Sequence, residues 1–386
     1  MPSPAATEIA IVGTGYVADY YGHSLDHHRD GLTLRGAFDL DPARLASFVT
    51  AFGGRAYASL DALLDDPAVA IVLNLTDPHA HLEVSRRIIA AGKHLYTEKP
   101  LAMTAAQAVE LRALAEAAGV RIAAAPCNVL GESAQTLWRA VRQKLVGEIR
   151  LIYAELDDGM IHKLPTRDWL STSGKPWPAS GEFEVGCTFE HAGYTVAPLA
   201  AMFGPVVRVT AFATLACPDK AMSPPPGGWA PDVSIGCLEF ESGVVARVTN
   251  SIVAPYDHRL RLIGEQGVLA MAEPWHYDCP VRVRRSANDR VSRYLERRLG
   301  WLPTRSVPPV RPVPFQRKRG RPTMDFMRGV RELADALRES RPSRLDADFA
   351  VHVTEVTEML QYPERFPSPA QVQSRFAPID PMPWAR

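Results

Sequence analysis

Residues 8–25, EIAIVGTGYVADYYGHSL, read as a buried strand, a glycine turn and the start of a helix. Gly13 permits the tight turn, and Gly15 lets the backbone approach a pyrophosphate. Ala18 stands where a third glycine is usual and still allows close helix–strand packing. Tyr16 and Val17 complete the turn, and the amides at the helix start offer an anion site. A purely structural glycine turn would share this spacing, so the fold is decided by the segments on its carboxyl side.

Outward from that turn, strands and helices alternate. TLRGAFDLD reads as a second strand, AYASL leads to a helix near Asp61, and AIVLNLT leads to one containing HLEVSRRIIAAG. HLYTEKP leads to a helix capped by Thr104, and VRIAAAP closes the series. Such alternation predicts an α/β fold with a parallel, doubly wound sheet. Asp39 ends the second strand roughly 20 residues past the turn, where a carboxylate accepts hydrogen bonds from adenine-ribose hydroxyls and repels a 2′-phosphate. NAD is thus favoured, with Arg44 keeping NADP open, and Asp39 as a turn residue or helix cap is the structural alternative. At the rim of the fourth strand, Thr76 and Pro78 are placed to border the nicotinamide. His79 and His81 lack a carboxylate or cysteine partner at useful spacing, so no metal is expected. His81 is read as a helix cap or a ribose contact. Lys99, at the carboxyl end of HLYTEKP, lies on the rim where such sheets bind ligands, and there it can give or take the proton that accompanies hydride transfer.

The totals set the remaining bounds. At 386 residues, two domains are expected, divided here as 1–126 and 127–386. Lys+Arg and Asp+Glu both number 43, so no global field favours nucleic acid or an anionic membrane. Five scattered cysteines suit reduced thiols in a cytoplasmic protein. No apolar run approaches the ~18 residues of a membrane span, and MPSPAATEIAIVG does not read as a signal peptide.

The stretches IAIVGTGYVA, GAFDLDPAR, NLTDPHAH, HLYTEKPLAMT and APCNVLGESAQTLWRAVRQKLVGEIRLIYAEL resemble the Gfo/Idh/MocA oxidoreductases. The resemblance implies a Rossmann domain joined to a C-terminal α+β domain with a large, mostly antiparallel open sheet, and a homo-oligomer. It also implies a sugar, nucleotide sugar or cyclitol substrate. Its lysine usually acts with a carboxylate-x-x-x-histidine pair, tyrosine replacing histidine in some ketoreductases. Counting back from Gly204-Pro205 puts Glu190 at the carboxylate position, Ala192 at a usual glycine and Tyr194 at the histidine position. Residues four apart share a helical face. His191 is the second candidate acid/base and Thr195 the third; Glu184 with Thr188 is a competing register. Tyr194 as mere core packing and Glu190 as a surface residue are the structural alternatives.

From residue 148 EIRLIYAEL, VVRVTAFATLA, VSIGCLEFE, GVVARVTNSIV and HRLRLIGEQGVLAM alternate as strands with short gaps, implying antiparallel pairing. Two late helices, near 323–340 and 345–362, are expected to pack back on the body. Asn128, Arg167 and Trp169 are placed to meet substrate, the last two in a polar segment over 157–178. The proline- and arginine-rich stretch 300–322 is expected to be irregular chain, as a lid or subunit contact. The combined reading is an NAD(P)-dependent dehydrogenase or reductase with Lys99 as general acid/base, relayed through Tyr194. Glu98 is expected to orient the lysine or touch the ribose, Pro100 to follow a cis or a trans bond, and the oxidised nicotinamide's charge to pull the Lys99 pKa down. An NAD-retaining glycoside hydrolase or epimerase, and a catalytically degenerate NAD-binding sensor, are the alternatives.

Overall fold

The computed structural model describes residues 6–286, 290–299, 304–314 and 324–386. The first sheet contains β1 (Thr7–Val12), β2 (Leu32–Phe38), β3 (Arg55–Ala56), β4 (Ile71–Asn74), β5 (His94–Thr97) and β6 (Ile122–Ala124). Their order, β3-β2-β1-β4-β5-β6, is parallel throughout and reverses direction at β1/β4. That reversal is where ligands sit in such sheets. Alternate residues of β1 enter different cores. Ile9 and Ile11 pack with Tyr21, Phe48 and Leu73, whereas Ala10 and Val12 pack with Leu63, Ile88 and Leu95. Both faces are covered, as a doubly wound sheet requires.

The connecting helices are α1 (Ala18–Leu25), α2 (Pro42–Phe52), α3 (Leu60–Leu64), α4 (His81–Ala90) and α5 (Ala105–Ala118). Their ends follow the local chemistry. Asp41 caps α2 and Ser59 caps α3. Thr104 caps α5 through the Gln107 amide at 3.2 Å, and Gly119 closes that helix in the left-handed region.

The second sheet contains β7 (Ile149–Asp157), β8 (Val206–Thr214), β9 (Val233–Phe240), β10 (Val245–Ser251), β11 (Leu260–Gly264), β12 (Gly267–Met271), β13 (Arg282–Arg285), β14 (Arg305–Ser306) and β15 (Ala370–Gln371). The order is β14-β13-β12-β11-β7-β10-β9-β8-β15. Every neighbouring pair is antiparallel except β7/β10. Its inner face buries Ile152, Leu238, Val248, Leu262 and Leu269, while Phe212 and Ile235 stand exposed outside. The remaining helices are α6 (Glu132–Arg142), α7 (Ala179–Val185), α8 (Cys187–His191), α9 (Gly193–Phe203), α10 (Arg290–Leu299), α11 (Met327–Arg338) and α12 (Ala347–Gln361).

The two late helices do pack back, and α11 reaches the first sheet. Phe326 and Met327 join the core of Tyr21 and Tyr96. Asp325 accepts a hydrogen bond from His28 at 2.8 Å and pairs with Arg328, which also binds Glu132 of α6 at 3.0 Å. Residues 300–303 and 315–323 of the proline- and arginine-rich stretch lie outside the described residues. Within its described part, Arg305 and Ser306 add an edge strand and Arg311 reaches Glu132, so irregular chain is not the whole of it.

Candidate active site and cofactor cleft

The glycine turn leads from β1 into α1. Gly13 has φ +88°, and a Cβ there would lie 2.7 Å from the Leu75 carbonyl group. At Gly15 an added Cβ would meet no atom within 4 Å. The turn is therefore packed on one side and open on the other. No side chain caps α1, so its first amides are left for an external anion, and the cradle fits a dinucleotide pyrophosphate. Asp39 lies beside it. Its carboxylate accepts from the Thr14 amide (2.7 Å), the Thr14 hydroxyl (3.0 Å), the Asp41 amide (2.8 Å) and Arg44 (3.1 Å). Burial opposes the charge, yet those donors hold the carboxyl below its ordinary value.

Across the switch point, buried Asn74 fixes the rim by accepting from the Thr76 hydroxyl at 2.7 Å. Thr76 and Pro78 are partly exposed there. His81 corrects the sequence reading. It is fully buried, with Nδ1 2.7 Å from the Pro100 carbonyl and Nε2 3.1 Å from the Thr76 carbonyl. It ties two rim loops together and is neither a helix cap nor a ribose contact. His79 stands apart, facing Glu184 at 3.8 Å.

The Lys99–Pro100 peptide is cis. Glu98 brackets the turn, accepting from Tyr21 at 2.7 Å and from the Lys99 amide at 3.0 Å. It orients the lysine's backbone. The Lys99 ammonium donates to Glu190, with side-chain exposures of 19% and 8%. Burial pulls the Lys99 pKa down, but its acidic neighbours, the Glu190 charge foremost, outweigh it and hold it above the ordinary lysine range. Burial likewise pushes Glu190 up, and Lys99 brings it below the usual carboxylate value. Glu182 of α7 is the residue that sequence reasoning missed. Burial and the Glu190 charge push it well up, so it stays protonated and hydrogen-bonds Glu190.

Tyr194 is buried near Lys99, its phenol raised chiefly by desolvation and so kept protonated. Its ring lies 5.0 Å from that of Trp275, and its carbonyl accepts from Asn128 at 2.7 Å. The competing register fails, because Thr188 donates to Ser234 at 2.8 Å and Glu184 faces His79. Thr195 is buried beside Tyr194. Two expected substrate contacts are placed elsewhere. Arg167 is exposed on a short turn, and Trp169 packs 5.2 Å from Trp177 in a separate apolar cluster.

His191 turns away from Lys99. Its Nε2 lies 2.8 Å from Asp158, whose other oxygen lies 2.8 Å from His258 Nε2. The second nitrogen of His258 faces Glu273 at 2.9 Å. Burial would lower the His258 pKa, but the two carboxylates raise it to about 9. A folded pKa above the unfolded 6.5 stabilises fully below about 6.5 and is lost as pH rises through about 9. Denaturant titrations should therefore show the advantage of wild type over His258→Gln shrinking from pH 7 to pH 10.

A strap at residues 172–175, beyond β7, crosses α1. Asp19 accepts from the Ser173 amide (2.7 Å), the Ser173 hydroxyl (2.9 Å) and Lys175 (3.2 Å), and His23 lies 2.9 Å from Thr172. The strap thus lies against the helix whose start forms the anion cradle.

Comparison with known proteins agrees with this architecture. Residues 7–125 match the family described as oxidoreductase family, NAD-binding Rossmann fold, and residues 134–270 match the GFO/IDH/MocA C-terminal domain. An uncharacterised oxidoreductase of Synechocystis sp. is 26% identical over 280 residues, 70% of this chain and 72% of that protein. Two solved structures share the fold. The aldose-aldose oxidoreductase from Caulobacter crescentus, complexed with glycerol, has a TM-score of 0.72 at 19% identity, covering 94% of this chain and 98% of that one. The WlbA dehydrogenase from Bordetella pertussis, in complex with NADH and UDP-GlcNAcA, has 0.69 at 14% identity, covering 95% and 97%. Among the described residues no helix is long and apolar enough to cross a membrane. The chain belongs to the Gfo/Idh/MocA oxidoreductases, and its first sheet is their NAD-binding Rossmann fold.

Proposed function

We propose that the protein moves a hydride between a nicotinamide and a carbinol or keto carbon of a sugar, nucleotide sugar or cyclitol, with Lys99 as general acid/base. The observation that carries this is the Lys99–Glu190 pair at the rim, with protonated Tyr194 and Glu182 beside it. Gly13, Gly15, Tyr16, Val17 and Ala18 would hold the pyrophosphate, Asp39 the adenine ribose, and Thr76 and Pro78 the nicotinamide side. Bound there, the cofactor supplies or accepts the hydride. Lys99, kept charged by Glu190, gives its proton to the oxygen formed on reduction and stabilises charge building there. In oxidation the proton returns to the lysine, and the Tyr194 phenol holds the substrate oxygen in line. The sugar-handling relatives of the same fold support the substrate class. Absorbance of the reduced cofactor across aldoses, nucleotide sugars and inositols tests it; silence over the whole panel would refute net redox.

The strap on Asp19 favours one second reading, a cofactor retained through the cycle, as in an epimerase or hydrolase without net NADH formation. Stoichiometric nucleotide in the purified protein would support it. The open face bearing Phe212 and Ile235 supports self-association, measurable by light scattering. Asp39 predicts NAD over NADP. Asp39→Ser should weaken NADH binding about 10–100-fold, the range for losing hydrogen bonds to a charged acceptor. It should free Arg44 to meet a 2′-phosphate, so that fluorescence titrations show the preference narrowing or inverting.

A further inference from the structure

A chain of buried polar groups runs from the surface to the neighbourhood of Tyr194, and the proposed hydride step uses none of it. Tyr256 donates to Glu273, and Glu273 faces His258. His258 faces Asp158, and Asp158 faces His191. The proton positions are set by the partners. His258 lies between two carboxylates, so both its nitrogens carry hydrogen and it is a cation. Each Asp158 oxygen takes one histidine, so His191 directs its Nε2–H at Asp158. His191 Nδ1 is buried and without a hydrogen-bond partner. Two more buried polar atoms lack partners nearby, the Asn128 side-chain oxygen and the Trp275 indole nitrogen. They share one neighbourhood. The Trp275 ring lies 5.9 Å from that of His191 and 5.0 Å from that of Tyr194. Asn128 donates 3.4 Å to the Pro274 carbonyl and 2.7 Å to that of Tyr194. Buried groups of this kind are normally satisfied, and a lone acceptor beside a lone donor suits a group that both donates and accepts.

We propose that Asp158, His258 and Glu273 are positioning residues that fix the His191 tautomer, and that His191 Nδ1 and Trp275 Nε1–H bind a second hydroxyl of a polyol substrate. This rests on Lys99 and Tyr194 holding the reacting hydroxyl. A hydroxyl suits the subsite because it donates to one acceptor while its oxygen accepts from the indole. The logic is that of a carboxylate holding an imidazole in one tautomer, with the His258 cation keeping Asp158 ionised. The charged or titratable groups facing the relay are Glu190 beside His191, Tyr256 on Glu273, and Asp157 near His258.

The test begins with long-range proton–nitrogen spectra of the full chain labelled with ¹⁵N-histidine. His191 should carry its proton on Nε2 with Nδ1 bare, and His258 should be an imidazolium titrating toward about 9. In Asp158→Asn the His191 tautomer should change. Proton on Nδ1 in wild type, or no change in the variant, would overturn the relay. The second measurement uses whichever panel sugar or cyclitol is turned over, together with its analogue deoxygenated at the neighbouring carbon. Asp158→Asn should raise KM for the parent ~10-fold or more, with a smaller change in kcat, and leave KM for the analogue nearly unmoved. Equal losses on both compounds would show a merely structural role and refute the subsite. His191→Asn, which keeps a polar atom near the Nδ1 position, gives the same comparison if Asp158→Asn does not fold, and should retain more affinity than His191→Ala. Absence of turnover on the whole panel would count against the Lys99 reading, while the His191 spectrum still upholds or overturns the relay.

Discussion

Lys99→Met should lower turnover by ~10²–10⁴, the range for a lost acid/base group, while the chain still folds and binds nucleotide. Methionine nearly matches the lysine's length and suits the apolar wall of Pro100, Pro126, Phe189 and Gly193 behind it. The substitution strips Glu190 of its cation. Removing one partner of a buried pair usually costs about 3–5 kcal/mol, because the other charge stays buried alone. Here the protonated Glu182 is hydrogen-bonded to Glu190, so the two carboxyls can share a second proton and the loss should fall short of that range. The glycine turn and Asp39 lie on other loops and are untouched. Thermal unfolding and nucleotide titration should thus stay close to wild type while kcat collapses. Turnover at the wild-type rate would eliminate the lysine from the chemistry. Collapse of nucleotide binding as well would show that it only holds the cleft together.

The signals the sequence carried well are local ones. Short continuous apolar runs, Thr104 at a helix start and Gly119 at its end respond to near neighbours in the chain, and they locate most of the first sheet and its helices. Glu190 and Tyr194 came instead from the family register counted back from Gly204-Pro205, and they lie on two consecutive helices, α8 and α9, rather than on one. The relay was not legible. Asp158 follows β7, His258 precedes β11 and Glu273 follows β12, and only the strand order β12-β11-β7 brings them together. No residue within helical reach of any of them marks that meeting. Glu182 escaped notice because its state depends on Glu190 eight positions on and on Lys99 in the loop after β5, far away in the chain. His81 was misread because a helix-start histidine looks the same in sequence whether its ring faces water or is closed between two carbonyls. Trp169 failed likewise: polar neighbours suggested a binding loop, but the indole had a second tryptophan to bury against.

Gly13→Ala and Gly15→Ala, two residues apart, should fail in different ways. At Gly13 the methyl would lie 2.7 Å from the Leu75 carbonyl carbon and oxygen and 2.8 Å from the Thr76 nitrogen, all backbone atoms, at φ +88°. A left-handed non-glycine residue costs about 1–3 kcal/mol, and overpacking adds about 1–3 more. Backbone cannot swing aside as a side-chain end can. Leu75 is held by its amide to Val12 at 2.8 Å, and Gly13 by its own to Phe38 at 2.9 Å. The clash is therefore transmitted to β1, β2 and the β4 rim together, and Gly13→Ala should lower Tm by several degrees and lose nucleotide binding. At Gly15 the methyl meets no protein atom within 4 Å, so Tm should hold. The same methyl would stand in the space open to the pyrophosphate, so NADH affinity should fall by ~10-fold or more. Calorimetry and fluorescence titration of the two variants separate the glycine that builds the turn from the one that leaves it room. A Gly15→Ala protein with unchanged NADH affinity would move the pyrophosphate away from this turn and take the cofactor assignment with it.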